Sequence, residues 1–303
     1  MRIAHFSDLH LLSLRDVPLR RFLNKRATGY ANLRLKRGSI HRSSYVRAIA
    51  REVKRIGVDH VVVTGDLTNL ALEPEFELAR EVLEEDLGFH PRDVTLVPGN
   101  HDVYTRGSRT KQRFATYFAD YLLSDLPELA VDVGTGLFPV VKLRGPVAVI
   151  GLCSAVPRLP FVAAGRLGSA QLRALDRVLA HPEVARRTPF VAIHHPPHNP
   201  HSKLKSMLEG LSDAAMLWTS MGSLPSLVVL HGHLHKRVRR EDQNGGGKSV
   251  TLGATSASLH HDSGEKMAGF NVYDVDGAGS LGALEAHVLG EGGRFSVRPL
   301  ALS

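Results

Sequence analysis

One cysteine, Cys153, stands in 303 residues. A lone thiol excludes an internal disulfide framework and any Cys-rich zinc module. It points to a reducing compartment, the cytoplasm. Aromatic residues are 6 % of the chain, with six Tyr and one Trp. That is too few to suggest an aromatic platform on which single-stranded nucleic acid would stack. No run approaches the roughly 20 apolar residues that cross a bilayer. Met1-Arg2 leads straight into an apolar run, so no signal peptide is expected. With 43 % hydrophobic and 22 % charged residues, a disordered chain, a collagen-like fibre and a membrane channel are excluded. The length suits one elaborated α/β or α+β domain spanning 1–303.

Histidine and positive charge are abundant instead: 17 His, and a net charge of +8. The charge is local. Arg15, Arg20, Arg21, Lys25, Arg26, Arg34, Lys36, Arg37 and Arg42 lie in one stretch with a single acid, Asp16. This segment accounts for the whole excess, and the remaining chain is balanced. Leu19, Phe22, Leu23 and Tyr30 fall near helical spacing between the arginines, although Gly29 weakens a helix there. The segment 15–42 reads as a basic insertion. It can attract an anionic substrate, a nucleic acid or an anionic membrane surface, or it can be a solvated loop.

Short apolar β-branched runs recur, and each ends in a polar cluster. They are Ile3–Ser7, His60–Thr64, Val94–Val97, Val147–Leu152, Phe190–Ile193 and Leu227–Leu230. Such continuous runs suit buried strands. Helical spacing appears at Ser44–Ile56, at Pro74–Leu87 with a favourable first-turn proline, at Gln112–Leu123 and at Ser169–Leu179. The alternation predicts α/β layers with sites at the strand C-terminal ends. From about 248 onward, short strands separated by Gly- and Asp-rich turns predict a β-rich portion completing a second sheet. Gly245-Gly246-Gly247-Lys248-Ser249 is not a P-loop, because Asp242 stands where its first glycine is needed. Asn244-Gly245 reads as a hairpin turn.

The polar clusters at the strand ends hold metal-capable residues. Asp8 and His10 are two apart. Asp66, Asn100, His194, His233 and His235 sit just past other strands. If those strands are neighbours, their ends converge. Carboxylate, imidazole and amide oxygen together suit Mn, Fe or Zn better than Mg²⁺ or Ca²⁺ alone. Seven ligands exceed one closed site but suit two ions about 3.5–4 Å apart that share a carboxylate. His5, His60, His90, His181 and His287 read as packing residues, and His231 as the end of a strand. His198 and His201 either line a substrate cleft or are polar loop residues. His260, His261 and Asp262 stay outside the assigned set.

The order Asp8-x-His10, Gly65-Asp66-x-x-Asn69, Gly99-Asn100-His101-Asp102, His194 and Gly232-His233-x-His235 resembles the calcineurin-like metallophosphoesterase superfamily. The resemblance runs from residue 3 to about 256. Gly165–Leu172, with Gln171-Leu172 entering a helix, also resembles a recurrent feature of it. The resemblance implies a four-layer sandwich of two mixed β-sheets flanked by helices, and two divalent or trivalent ions. Asp8, His10 and His235 would hold the first ion and Asn100, His194 and His233 the second. Asp66 would bridge both, with an attacking hydroxide between them. His101 would contact the phosphoryl oxygen and protonate the leaving group, and Asp102 would orient it. His195 is the alternative ligand to His194. With His198 and Asn69 it is also a candidate substrate contact.

His194-His195-Pro196-Pro197 and Asp66-Leu67-Thr68-Asn69 resemble the branch of cyclic-nucleotide and glycerophosphodiester phosphodiesterases. The function expected is therefore hydrolysis of small-molecule phosphodiesters. The alternatives are a phosphomonoesterase or lipid-phosphate hydrolase at a membrane surface, a nuclease using segment 15–42, and a scaffold without catalysis. The matching of every block argues against the scaffold.

Overall fold

The computed structural model describes residues 1–22, 26, 41–199, 202–244 and 247–302. The strands, in chain order, are β1 Arg2–Phe6, β2 His60–Val63, β3 Val94–Leu96, β4 Val131–Asp132, β5 Leu137–Phe138, β6 Val140–Arg144, β7 Val147–Gly151, β8 Thr188–Ile193, β9 Ser226–His231, β10 Val238–Asn244, β11 Gly247–Gly253, β12 Gly269–Val275, β13 Leu281–Leu289 and β14 Phe295–Pro299. They build two six-stranded sheets, ordered β14-β13-β12-β1-β2-β3 and β10-β11-β9-β8-β7-β6; β4 and β5 pair apart. Both sheets are mixed. β1, β2 and β3 run parallel, as do β7, β8, β9 and β11. The remaining pairings in the two large sheets are antiparallel.

The second sheet shows why its strands read as unbroken apolar runs: both of its faces are covered. Val147, Val149, Phe190, Ala192, Val228 and Leu230 belong to the large core shared with the first sheet. Their neighbours Ala148, Ile150, Val191, Ile193, Leu227 and Val229 pack beneath Leu172, Leu175, Val178, Leu217 and Met221 of the helices Ser169–Ala180 and Ala214–Met221. On the first sheet's side, helix Ser43–Ile56 buries Val46, Ile49, Ala50 and Val53, one stripe at helical spacing. The result is the expected sandwich of two mixed sheets between helices.

Two expectations change. Gln112–Leu123 is not one helix. It divides into Arg113–Tyr117 and a 3-10 turn Ala119–Leu122, with a separate short helix at Arg106–Thr110. The break falls at Phe118, whose φ −120° and ψ 28° are not helical, while Gln112 at φ 46° separates Arg113–Tyr117 from the helix before it. The C-terminal part does not complete the second sheet alone. β11 joins that sheet, but β12, β13 and β14 extend the first sheet from the edge of β1. Of the basic stretch 15–42, a 3-10 turn at Leu19–Phe22 is described; Leu23, Lys25, Gly29, Tyr30, Arg34, Lys36 and Arg37 lie outside the described residues, as do His201, Gly245 and Gly246. β10 and β11 do pair as a hairpin, with Asn244 opposite Gly247.

Candidate metal centre

Each sheet delivers loops to the same place. β1 ends into Asp8 and His10, β2 into Asp66 and β3 into Asn100; from the other sheet, β8 ends into His194 and β9 into His233 and His235. Backbone hydrogen bonds sew these loops together. Asp8 N donates to Gly65 O (2.9 Å), His10 N to Asp66 O (2.9 Å) and Gly232 N to His194 O (3.1 Å). Close approach here requires residues without a Cβ. A Cβ on Gly99 would strike Asp66 Oδ1, and one on Gly232 would strike Ser7 Oγ and lie 2.6 Å from Asp8 Oδ2.

Two groups of donors result. In the first, His10 Nε2 and His235 Nε2 face each other at 3.0 Å. Asp8 Oδ1 lies 3.1 Å from His235 Nε2 and 3.8 Å from His10 Nε2. In the second, His194 Nε2 meets Asn100 Oδ1 (3.2 Å), His233 Nδ1 (3.3 Å) and Asp66 Oδ2 (3.4 Å). Asp66 Oδ2 is also 4.0 Å from His10 Nε2, so this one oxygen reaches both groups. Its partner Oδ1 accepts the His101 amide at 2.7 Å, which fixes the carboxylate.

The chemistry of this donor set fits cations. The outer nitrogens of two rings are already used: His194 Nδ1 donates to Thr64 O (2.7 Å) and His233 Nε2 donates to Glu209 O (3.1 Å). In the neutral form of each ring the remaining lone pair therefore points inward, as metal-binding imidazoles require. Asp8 Oδ1 is buried without a hydrogen-bond partner. Burial alone would raise both carboxyls, but the imidazoles around them hold Asp8 below and Asp66 well below the usual carboxylate range. Burial, with His101, His41 and His235 beside it, pushes His10 well below the ordinary imidazole value. Burial and His194 push His233 down to about 3. At His194 burial opposes protonation, but the Asp66 and Asp8 carboxylates override it and raise the ring to about 9. Ionised carboxylates and mostly neutral imidazoles facing one space are the form in which these groups bind metal.

Of the other predicted residues, His101 sits at the cluster. Its ring lies 4.9 Å from His10, and with His10 and Asp66 it forms a third group of close donors. It is not Asp102 that holds this ring. His101 Nδ1 donates to the backbone carbonyl of Asn69 at 2.6 Å. Asp102 instead accepts the amides of Gly99, Leu67 and Thr68 and the Thr68 hydroxyl. It ties the β2 and β3 loops together. Burial and Asp66 push its carboxyl up to about 7. The Asn69 side chain is buried and donates to His10 O, so it braces a loop. His195 is fully buried, with Nδ1 on Ser154 Oγ and Nε2 on Ala163 O, both at 2.7 Å. Its ring nitrogens are committed, and it supports the site from behind. His198 contacts Trp218, Thr251 and Asp242 rather than any of the seven donors.

His5, His60 and His231 pack as expected, bonded to Tyr273 and Thr64, to Thr95, and to Gly232 O respectively. Sequence reasoning missed His41, whose ring lies 4.9 Å from His10 and 5.9 Å from His235. It also missed Tyr104, stacked on His101 at 5.5 Å. Neither stands in a motif; only the fold brings them here.

A family model described as calcineurin-like phosphoesterase matches residues 1–237. No curated protein matches the chain. Among solved structures, a dimetal phosphatase from Danio rerio is similar at 14 % identity and TM-score 0.60, covering 99 % of both chains. A purple acid phosphatase from yellow lupin, Lupinus luteus, is similar at 11 % identity and TM-score 0.61, covering 95 % of this chain and 51 % of its own. The sulfate thiohydrolase SoxB of Thermus thermophilus is similar at 18 % identity and TM-score 0.50, covering 99 % of this chain and 56 % of its own. At these identities the likenesses establish the fold alone.

Proposed function

Because the chain belongs to the calcineurin-like phosphoesterase family, a family of dimetal phosphoric ester hydrolases, we propose that it hydrolyses phosphodiesters of small molecules. The observation that carries this reading is the Asp66 carboxylate placed between two groups of inward-facing donors. Asp8, His10 and His235 would hold one ion and Asn100, His194 and His233 the other, with Asp66 shared. The ions, when bound, neutralise phosphate charge and supply a nucleophilic oxygen at neutral pH.

The chain's own residues do the rest. Asp66 is held by the His101 amide, so its free oxygen does not rotate away from the shared position. His101 has Nδ1 committed to Asn69 O. Nε2 is therefore the nitrogen that exchanges a proton with the departing oxygen, and His101 serves as acid when Nε2 is protonated. Tyr104 stacks on this ring and, with Asn69 O, sets its plane. Asp102 keeps the Gly99 and Thr68 amides in register, so the loops carrying Asp66 and His101 move as one body.

The test is a panel of mono-, di- and cyclic phosphoesters, assayed with Mn²⁺ restored after chelation. We expect bis-p-nitrophenyl phosphate and a cyclic nucleotide to be cleaved with higher kcat/KM than p-nitrophenyl phosphate. The reverse order would replace the diesterase reading by a monoesterase one.

A further inference from the structure

A cavity of about 860 Å³ opens beside Tyr104, the residue stacked on His101. Its wall carries six cationic side chains: Arg21, Arg26, Arg106, Lys111, Arg113 and Arg158. Among the described residues, no acidic side chain lines it. Glu73, outside the lining, pairs with Arg21 at 2.6 Å and with Arg113 at 2.8 Å. With six cationic side chains and no acid in its lining among the described residues, the hollow is positive, and of a size suited to a small ligand. We infer that this cavity binds a second phosphate or a pyrophosphate group of the substrate, next to the proton-donating edge of the metal centre. The inference rests on the reading of that centre as the place of ester cleavage.

The cavity is joined to the catalytic loop through the backbone. Asn69 O holds His101. The next two carbonyls are held from the cavity: Leu70 O accepts Arg26 Nε (2.7 Å), and Ala71 O accepts Arg26 Nη2 (3.1 Å) and Arg113 Nη1 (3.0 Å). Arg26 is buried, and burial with Arg113 and Arg21 nearby lowers it to about 10. These two guanidinium groups act as the floor and bind backbone. Arg106 and Lys111 are exposed at the mouth and form no ion pair among the described residues. They are the groups available to meet an incoming anion. Phosphate suits such a site better than carboxylate, because its three oxygens can be shared among several cationic donors. A long polymer is less suited, because the cations converge into a hollow rather than running as a stripe along a groove.

The test uses inorganic pyrophosphate titrated calorimetrically into the full chain after chelator treatment. We expect saturable binding to wild type. The Arg106→Ala/Lys111→Ala double variant should bind at least tenfold more weakly, and Arg106→Lys/Lys111→Arg should stay within about threefold of wild type. Absent binding to wild type, or equal binding by the alanine variant, overturns the inference. A parallel assay of bis-p-nitrophenyl phosphate hydrolysis with Mn²⁺ separates the two readings. If wild type binds pyrophosphate but cleaves no ester, the catalytic premise falls, and with it the assignment of the pyrophosphate as part of a substrate.

Discussion

Five of the seven proposed metal-holding residues adopt left-handed backbone: Asp8 at φ 54°, His10 at 45°, Asp66 at 51°, His233 at 69° and His235 at 50°. For residues with a Cβ this costs about 1–3 kcal/mol each. The strain is local to the loops where both sheets end, and the donors need those sharp turns to face one another. Residue types and spacing pointed to the seven candidate donors, because a carboxylate, imidazole or amide after five of the six apolar runs is visible in one dimension. The roles of Asp102 and Asn69 were not visible, since they act on backbone amides and carbonyls that every residue possesses. Two substitutions separate the roles. Asp66→Asn keeps the acceptor for the His101 amide but removes the shared negative charge, so bound manganese should fall below two per chain and kcat by at least about 100-fold. His101→Ala should leave manganese content near two and lower kcat by about 10²–10⁴-fold, most for esters with poor leaving groups. Elemental analysis beside turnover checks both. Full manganese and full activity in Asp66→Asn would refute the bridging assignment.

At the scale of elements, the strands were legible because burial on both faces makes them uninterrupted apolar runs. The segment 112–123 was misleading because its apolar spacing continues across Phe118, where the backbone leaves the helical region (φ −120°, ψ 28°). Helix Glu73–Glu81 shows a further device that spacing does not disclose. Glu75, in its first turn, is buried, and its Oε2 accepts the amides of Leu70 (2.9 Å) and Leu72 (3.1 Å). It thus caps its own helix and braces the segment whose Asn69 carbonyl holds His101. Burial pushes this carboxyl up to about 8. Between its unfolded value near 4.5 and about 8 the folded chain holds a proton that the unfolded chain releases. Stability contributed by Glu75 therefore falls as pH rises through that window. Glu75→Gln keeps the accepting oxygen and cannot ionise. We expect it to gain stability relative to wild type on going from pH 5 to pH 9, on the order of a few kcal/mol. Urea denaturation at both pH values reads this out, and an equal difference at the two pH values would contradict it.

At the scale of the whole molecule, the two sheets are separate hydrogen-bonded ladders, yet their strand ends supply one donor cluster. Asp8, His10, Asp66 and Asn100 come from the first sheet, and His194, His233 and His235 from the second. The pairing that makes this possible includes β12 against β1, a contact between the two ends of the chain, with β13 and β14 added in turn outside β12. Such long-range pairing leaves no local trace, which is why the C-terminal strands read as part of the other sheet. Cations bound across both sheets should act as a clasp. Any ligand that binds only the folded chain stabilises it by about 2.7 kcal/mol when present at 100 times its dissociation constant. For a chain of this size, that corresponds to a Tm rise of roughly 4 °C. The chelated protein should therefore melt lower than the same protein with Mn²⁺ restored, whether or not any ester is present. A general ionic effect would appear equally with added NaCl, and would persist in Asp66→Asn. A clasp built on the shared carboxylate predicts neither. If scanning calorimetry shows the same Tm with and without saturating Mn²⁺, the loops are not joined by cations, and the two donor groups are only neighbours.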